Sequence, residues 1–556
     1  MLADTLTGIG VSLGIAHAPV VRVTEAPGYD QSEQPSTDIE SDGERIRQAL
    51  LGVSEDLKAF AEDSPEESKK ILQTTASLAK DKGLAKASIK QLKSHGVTAS
   101  VHLAVEEYAA KFMRLGGYFA ERVTDLYDVR DRVIAKLLGQ SAPGIPELSE
   151  PAILVARDLS PADTATMDVN KVLGIIMREG GVTSHAAILC AQLGIPAIVH
   201  VTDADRLEDG QMVAIDGNAG VVFVEPDEAA VSELESFAAA REDMINQFSG
   251  AGATSDGHHV GLLANIGTVS DAVFAGQNED VEGIGLFRTE FMFLGKASAP
   301  TLEEQTKEYT RVLRAMGDRK VVVRTLDAGA DKPLAFASTR EEENPALGQR
   351  GLRLSMVRED LIDTQLQALA AADSQTDADL WVMAPMVSTV EEARWFADHA
   401  RAAGLKRVGI MIEVPAAALR AKKLAKVVDF FSIGSNDLAQ YTMAADRTDA
   451  VHAQLLNPWQ PAVLDLFAAA GEADVPVGVC GEAGGDPLLA VVLVGLGVAT
   501  LSVAPRKIPA VRAALALHSL EDCQRIARAA RDADTADEAR AAALAAANPT
   551  LRSIVA

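Results

Sequence analysis

The chain has 556 residues, with 52 Lys and Arg against 79 Asp and Glu, for a formal net charge of −27. This length suggests about three or four domains, and 48% hydrophobic with 24% charged residues excludes a wholly disordered or fibrous chain. So acidic a protein, with only 4% aromatic residues, is a poor partner for nucleic acid or an anionic membrane. Any anionic ligand therefore needs basic residues concentrated at one site.

The N-terminal stretch MLADTLTGIGVSLGIAHAPVV has no basic region before its apolar residues, so it reads as glycine-broken strands and not as a signal peptide. No uncharged apolar run reaches the ~20 residues a membrane span needs. After a polar stretch, Ile46, Leu50, Val53 and Leu57 begin a helical period that continues to about Leu138, with breaks near Ser64-Pro65, Ser94-His95-Gly96 and Gly116-Gly117. This predicts about four helices, a bundle inserted after a strand. Residues 143–225 return to short apolar strands: AILVA (152–156), VLGIIM (172–177), AIVHV (197–201) and VVFVEP (221–226). Residues 226–250 read as a charged, mostly helical connector.

From His258 to about Pro505, eight short apolar segments alternate with helical stretches. They are HVGLLANI, EGIGLFRT, KVVVRTLD, LWVMAPM, RVGIMIE, DFFSIGS, PVGVCGE and TLSVAP. Continuous apolar runs suit buried parallel strands, and eight such alternations predict a (β/α)8 barrel whose functional rim lies at the strands' C-terminal ends. The Ala-rich tail reads as helix.

Within GGVTSHAAILCAQLGIPAIV (180–199), Thr183 or Ser184 suits a helix N-cap, Gly194 the C-terminal cap, and Pro196 blocks continuation. His185 thus falls in the first helical turn, where imidazolium is disfavoured and a bound anion is favoured. A neutral imidazole there can act as a nucleophile toward phosphate. The same spacing also fits an ordinary capped helix with a surface histidine.

On the barrel, Arg288, Arg324, Lys332, Arg350 and Arg447 place five cations on one rim. Arginine forks suit a small phosphate or carboxylate. Glu413 and Asp437, after the fifth and sixth strands, have the chemistry of a Mg²⁺ site completed by substrate oxygens, and Asn344 or Asn436 can donate to substrate oxygens. Cys480, after the seventh strand, is either a small buried hydrophobe or a proton donor or acceptor beside the substrate. The three cysteines, Cys190, Cys480 and Cys523, lack the spacing of a disulfide framework or a metal site, which fits a reduced cytoplasm.

These motifs together, GGVTSHAAI, FRTEFMF, VVRTLDAGADK, ENPALGQRG, GIMIEVP, SIGSNDLAQYTMAADR and GVCGEAGGDP, closely resemble the Enzyme I family of the bacterial phosphoenolpyruvate:sugar phosphotransferase system. The resemblance implies a multidomain α/β protein. Residues 1–25 and 143–225 would form a phosphohistidine domain, and 26–142 an inserted helical bundle that docks the phosphocarrier protein HPr. Residues 226–255 would be a helical linker, and 256–556 a phosphoenolpyruvate-binding TIM barrel that also dimerises. It implies that His185 is phosphorylated by phosphoenolpyruvate, and that Arg288, Arg324, Arg350 and Arg447 hold its phosphate and carboxylate with Lys332 nearby. Asn436 would contact the phosphate, Glu413 and Asp437 would bind Mg²⁺, and Cys480 would protonate the enolate to give pyruvate. One segment departs from the family pattern: TASLAKDKGL (75–84) has Thr75 where relatives often carry a histidine in an acidic stretch, and adds Lys80 and Lys82. A pyruvate phosphate dikinase or phosphoenolpyruvate synthase is the nearest alternative, but needs a large ATP-binding domain for which no signature occurs. A regulatory protein with an inactive barrel is the other, and the intact set of His185, the arginines, Glu413, Asp437 and Cys480 counts against it.

Overall fold

The computed structural model describes residues 4–555 apart from 13, 31–32, 63–65, 116–121, 147, 160–162, 165–166, 180–184, 294–295, 297, 330–333, 335, 338–341 and 447–449. The chain divides into two compact units, Met1–Ala239 and Ala240–Ala556.

In the first unit, eight strands form one sheet: β1 (Asp4–Thr7), β2 (Ile9–Ser12), β3 (Ile15–Arg22), β4 (Ala152–Ala156), β5 (Val172–Met177), β6 (Ala197–Val199), β7 (Met212–Asp216) and β8 (Val221–Val224). Their order is β1-β8-β7-β3-β4-β5-β6-β2. The central run β3 to β6 is parallel, with antiparallel pairs at either end. Every residue of β4 is buried, as a parallel strand covered on both faces requires. The consecutive strands β1 and β2 lie at opposite ends of that order, and the chain crosses at Gly8. A Cβ there would meet the Val199 carbonyl oxygen at 2.5 Å, so the crossing needs glycine. The helix His185–Leu193 links β5 to β6, buries Ala186 and Cys190, and ends at Gly194 with φ 71°.

Five helices lie between β3 and β4 among the described residues: Ile39–Glu62, Glu66–Ala79, Lys82–Gln91, Val97–Leu115 and Val123–Leu138. They share a separate apolar core of Ile46, Leu50, Val53 and Leu57 with Leu72, Val101 and Val129. The expectation of about four helices starting near Ile46 is corrected in two places. The first begins at Ile39, where the residues lack an apolar period but Glu40 and Asp42 sit in its first turn and favour its positive end. The additional break falls at Asp81, whose side chain accepts from Leu84 N at 2.7 Å and starts a new helix. The expected connector contains the helix Glu228–Asn246, in which no residue is fully buried.

The second unit is a closed parallel barrel of β9 (Gly261–Ile266), β10 (Gly283–Arg288), β11 (Lys320–Arg324), β12 (Asp379–Ala384), β13 (Val408–Ile412), β14 (Phe430–Ile433), β15 (Val477–Val479) and β16 (Thr500–Val503). Closure comes from β16 against β9, Thr500 opposite Gly261 through Val503 opposite Ala264. All eight expected strands occur, each shorter than its apolar segment. Helices Val269–Gln277, Leu302–Met316, Val390–Ala402 and Leu520–Arg531 each begin with a reciprocal capping box at Thr268, Thr301, Thr389 and Ser519. Among the described residues no helix is long and apolar enough to cross a membrane.

The Ala-rich tail belongs to the barrel. Its helices Leu520–Arg531 and Ala536–Ala546 bury Cys523, Ile526, Ala527, Ala539 and Ala543 in the same core as the strands. Ile526→Ala is therefore expected to destabilise this unit by about 2–5 kcal/mol through the lost burial and the cavity left behind. Arg540→Ala should stay within about 0.5 kcal/mol. Denaturant titration followed by far-UV circular dichroism measures both, and equal effects would place the tail outside the core.

Candidate active site at the C-terminal rim of the barrel

The rim side chains converge because they close a barrel strand or lie in the segment between a strand's C-terminal end and the next helix. Arg288 closes β10 and Arg324 closes β11. Asp327 and Arg350 lie in the segment after β11, Glu413 follows β13, Asn436 and Asp437 open the helix Ser435–Met443 after β14, and Cys480 follows β15. All eight parallel strands end on the same face of the barrel, so residues far apart in sequence meet here.

The centre of the cluster is ionic and buried. Asp327 Oδ2 lies 3.1 Å from Arg324 Nη1 and also accepts from Arg350 Nη2 at 3.1 Å, while Asp327 Oδ1 accepts from Arg350 Nε at 3.1 Å. Arg350 turns its other edge to Asp437, with Nη1 to Oδ1 at 2.7 Å and Nη2 to Oδ2 at 3.1 Å. Its Nη1 also reaches the Tyr441 hydroxyl at 3.3 Å. Arg324 Nη2 donates to Glu290 Oε1 at 2.6 Å. Burial alone would lower both guanidiniums, but the carboxylates overcome it: Glu290, Asp327 and Glu413 raise Arg324, and Asp327 and Asp437 raise Arg350. Arg324 Nε is buried with no hydrogen-bond partner. An unsatisfied charged donor at the mouth of a barrel is a costly feature unless a ligand oxygen completes it.

Glu413 is only 1% exposed and accepts from Met386 N at 2.8 Å. Burial pushes its carboxyl up to about 8, reinforced by the negative charges of Asp437 and Asp327 and opposed by Arg324 and Arg350. Its Oε1 faces Gly434, where a Cβ would come within 2.7 Å. No group of three or more His, Cys, Asp or Glu with metal-holding geometry occurs among the described residues. Mg²⁺ does not need one, since it is typically held by one or two carboxylates with waters and substrate phosphate. Glu413 and Asp437 fit that role.

Cys480 is buried, with its thiol donating to the Ile433 carbonyl oxygen at 3.5 Å. Burial pushes it up to about 11, so it holds its proton at neutral pH. Asn265 Nδ2 donates to the Cys480 carbonyl oxygen at 3.2 Å, and Ser502 Oγ donates to Asn265 Oδ1 at 2.7 Å, which fixes the amide. Asn436 Oδ1 accepts from Ser435 Oγ and from Glu482 N, both at 3.3 Å, so its amide N–H groups are what it can offer to a ligand. Arg288 is half-buried and bears no ion pair among the described residues.

Of the residues singled out from sequence, the barrel brings together Arg324, Arg350, Glu413 and Asp437, with Cys480 in the electrostatic reach of Arg288, Arg324 and Glu413. Lys332 and Arg447 lie outside the described residues. His185 opens its helix in the first unit, but its side chain, and the expected caps Thr183 and Ser184, lie outside them too. Asn344 is exposed. Sequence reasoning gave no role to Glu290, Asn265, Ser502 or Tyr441. The available signal was a charged or polar residue inside an apolar run: Glu290 in FRTEFMF, Asn265 in GLLANI and Ser502 in TLSV.

Three family models match consecutive parts of the chain. They are the N-terminal (7–122), mobile (148–220) and PEP-binding (243–520) domains of PEP-utilising enzymes. A phosphoenolpyruvate-protein phosphotransferase of Streptomyces coelicolor is 47% identical, covering 95% of this chain and 96% of that one. Those of Geobacillus stearothermophilus and Bacillus subtilis are 36% and 35% identical, over 94% and 93% of this chain and 94% and 95% of theirs. With such identity running through both units and the barrel rim built as described, the chain belongs to the phosphoenolpyruvate-protein phosphotransferase family.

Proposed function

We propose that this enzyme takes the phosphoryl group of phosphoenolpyruvate onto its own His185 and passes it to the phosphocarrier protein HPr, the first step of the sugar phosphotransferase system. The observation that carries the reading is the buried rim cluster: two pre-aligned guanidiniums, one with an orphaned N–H, beside four carboxylates (Glu290, Asp327, Glu413 and Asp437) and a protonated thiol. Such a cluster matches a small molecule with a phosphate, a carboxylate and an enol carbon awaiting a proton.

In this reading Arg288, Arg324, Arg350, Arg447 and Lys332 neutralise the substrate's phosphate and carboxylate, and Asn436 donates to a phosphate oxygen. Holding these donors in place before reaction lowers the reorganisation needed as charge moves. Glu413 and Asp437 would hold Mg²⁺, which when bound offsets negative charge on the phosphoryl oxygens. A ring nitrogen of His185 attacks phosphorus, and the bond from phosphorus to the enol oxygen breaks with its electron pair passing to that oxygen. The enolate collapses to the ketone as its terminal carbon takes the proton from Cys480 Sγ, and pyruvate departs. The thiolate then regains a proton from water. HPr docks on the helical insertion and receives the phosphoryl group. A homodimer through the barrel and a cytoplasmic location complete the reading, and three free, buried cysteines support a reducing compartment.

Incubation with phosphate-labelled phosphoenolpyruvate and Mg²⁺ tests this directly. One acid-labile, alkali-stable label on His185 is expected, absent from His185→Ala, while labelling of that variant at the normal level would sink the assignment. Arg324→Lys keeps a charge but loses the fork, and should lower kcat/KM for phosphoenolpyruvate by roughly 10²-fold or more. Glu413→Gln should raise the Mg²⁺ concentration needed for half-maximal rate, and wild-type kinetics in both variants would place the substrate elsewhere. Because burial raises Cys480 to about 11, its thiol donates throughout neutral pH. Ketonisation of the enolate, followed by solvent-deuterium incorporation into pyruvate, should therefore proceed at neutral pH in the wild type and be slow in Cys480→Ala. Ketonisation at the wild-type rate in Cys480→Ala would show that the thiol is not the donor.

A further inference from the structure

The barrel carries a second polar feature, below the rim and facing its axis. Along β14 and β15, Phe431, Ile433, Val477 and Val479 pack in the large core shared with the helices. Phe430 and Cys480 instead pack inside the barrel with Leu286, Val322, Met383 and Met411. Side chains alternate along a strand, so Ser432, opposite Gly478 in the ladder, faces the axis one step below Cys480. A cavity of about 20 Å³ opens beside it, lined by Ser432, Thr500, Ser502 and, at the N-terminal mouth of the barrel, Lys320. Two glycines make the room. A Cβ on Gly285 would meet Ser502 Oγ at 2.5 Å, and one on Gly478 would meet Thr500 Oγ1 at 2.5 Å. About one water fits such a volume, and these side chains are the polar partners that a buried water needs. An organic ligand does not fit.

Cys480 needs a proton back after every turnover, and it is only 2% exposed. The Ile433 carbonyl oxygen accepts from its thiol and has no proton to give. Arg324, its charged neighbour toward the rim, does not give up a proton in proteins. Glu413 would be ionised when it holds Mg²⁺. The Ser432 hydroxyl hydrogen-bonds to the sulfur, favours the thiolate and has a proton to pass on. Ser502 is committed, since its hydroxyl donates to Asn265 Oδ1 at 2.7 Å, so toward the cavity it can only accept. At the far end Lys320 is half-buried, with Nζ 3.5 Å from the centroid of the Trp381 ring and 5.9 Å from that of Phe430. Burial pulls its ammonium down to about 8, with Asp379 opposing and Arg407 adding to the fall. A group of that strength releases a proton near neutral pH and regains one from solvent at the mouth.

We propose that the barrel interior returns a proton from Lys320, by way of one water in this cavity and the Ser432 hydroxyl, to the Cys480 thiolate. The proposal rests on the reading above that this thiol protonates the enolate. In the relay the Ser432 O–H bond breaks as the S–H bond forms. A water O–H bond breaks as Ser432 regains its proton, and a Lys320 N–H bond breaks to restore the water. The neutral amine then takes a proton from solvent, so one proton enters per turnover and nothing else is consumed. Entry from the N-terminal mouth leaves the rim free for substrate, and the thiol can be recharged from the side that the substrate does not cover. A buried hydroxyl is costly unless hydrogen-bonded, and this layer keeps three of them, Ser432, Thr500 and Ser502, where apolar side chains would pack.

The test uses the full-length enzyme with phosphoenolpyruvate, Mg²⁺ and HPr. Rapid quench without HPr reads the first pyruvate, for which the thiol starts protonated. That first turnover should keep its rate within about twofold in Ser432→Ala and in Lys320→Met. With HPr in excess, both variants should lose roughly tenfold or more in kcat, with a larger solvent deuterium effect on it. Their kcat/KM for phosphoenolpyruvate should stay within about twofold, because only the return of the proton is slowed. A normal kcat in either variant would overturn the relay. A loss shared equally by the first turnover would overturn it too, since it would mark a packing defect around Cys480. Wild-type turnover in Cys480→Ala would instead sink the role of the thiol itself, so the two failures are distinguishable.

Discussion

Asp327 is the residue on which the rim is built. Its carboxylate sits between Arg324 and Arg350, and all three are nearly removed from water. Each charge alone would be very costly there, because desolvation of an ion outweighs ordinary packing gains. Together with Glu290 and Asp437 the charges alternate in sign, so that each guanidinium has a carboxylate on either side. The arrangement holds two arginines in fixed orientation through protein carboxylates alone. The cost of ordering these long side chains is thereby met during folding, so a bound phosphate or carboxylate meets donors already in position.

The backbone around this network is shaped to the same end. Arg350 precedes Gly351 at φ 58°, and a Cβ on that glycine would meet Met386 Cβ at 3.0 Å. Met386 itself adopts φ 60°, a conformation costly for a non-glycine residue. It is this Met386 whose N–H donates to Glu413. Two unusual backbone conformations, after β11 and after β12, thus support the arginine and the carboxylate, respectively. Removing the Gly351 freedom would disturb Arg350 without touching a charge.

Much of this was legible before any coordinates. Continuous valine, leucine and isoleucine runs mark buried parallel strands with little ambiguity, so the barrel, and Arg288 and Arg324 at the ends of its strands, could be placed from spacing alone. Glu290 and Asn265 were less visible. A lone glutamate among aromatics reads as a surface charge until it is known that Arg324 lies 2.6 Å away, and that contact joins residues 34 positions apart. The same limit explains the bundle. Its apolar period was clear from Ile46 onward, but the first turns of its opening helix are set by acidic residues at a helix start, and the break at Asp81 by one side-chain cap. Caps and ion pairs are single contacts with no period, so a sequence pattern read by periodicity passes over them.

The distribution of charge ties the rim to the rest of the molecule. A strongly negative protein repels small anions at a distance, and phosphoenolpyruvate is an anion. A cluster of guanidiniums recessed in a low-dielectric barrel mouth acts over a shorter range but more strongly, since its field is not dissipated into water. The carboxylates that flank the arginines are therefore not a weakness of the site. They cancel most of the guanidinium field, which lets Arg324 and Arg350 be buried side by side without unfolding the rim. Arg324 Nε and Arg288, which have no such partner among the described residues, are the parts left uncancelled. Selectivity for a ligand with two anionic groups follows from that remainder: one group alone satisfies only part of it, and a neutral molecule satisfies none.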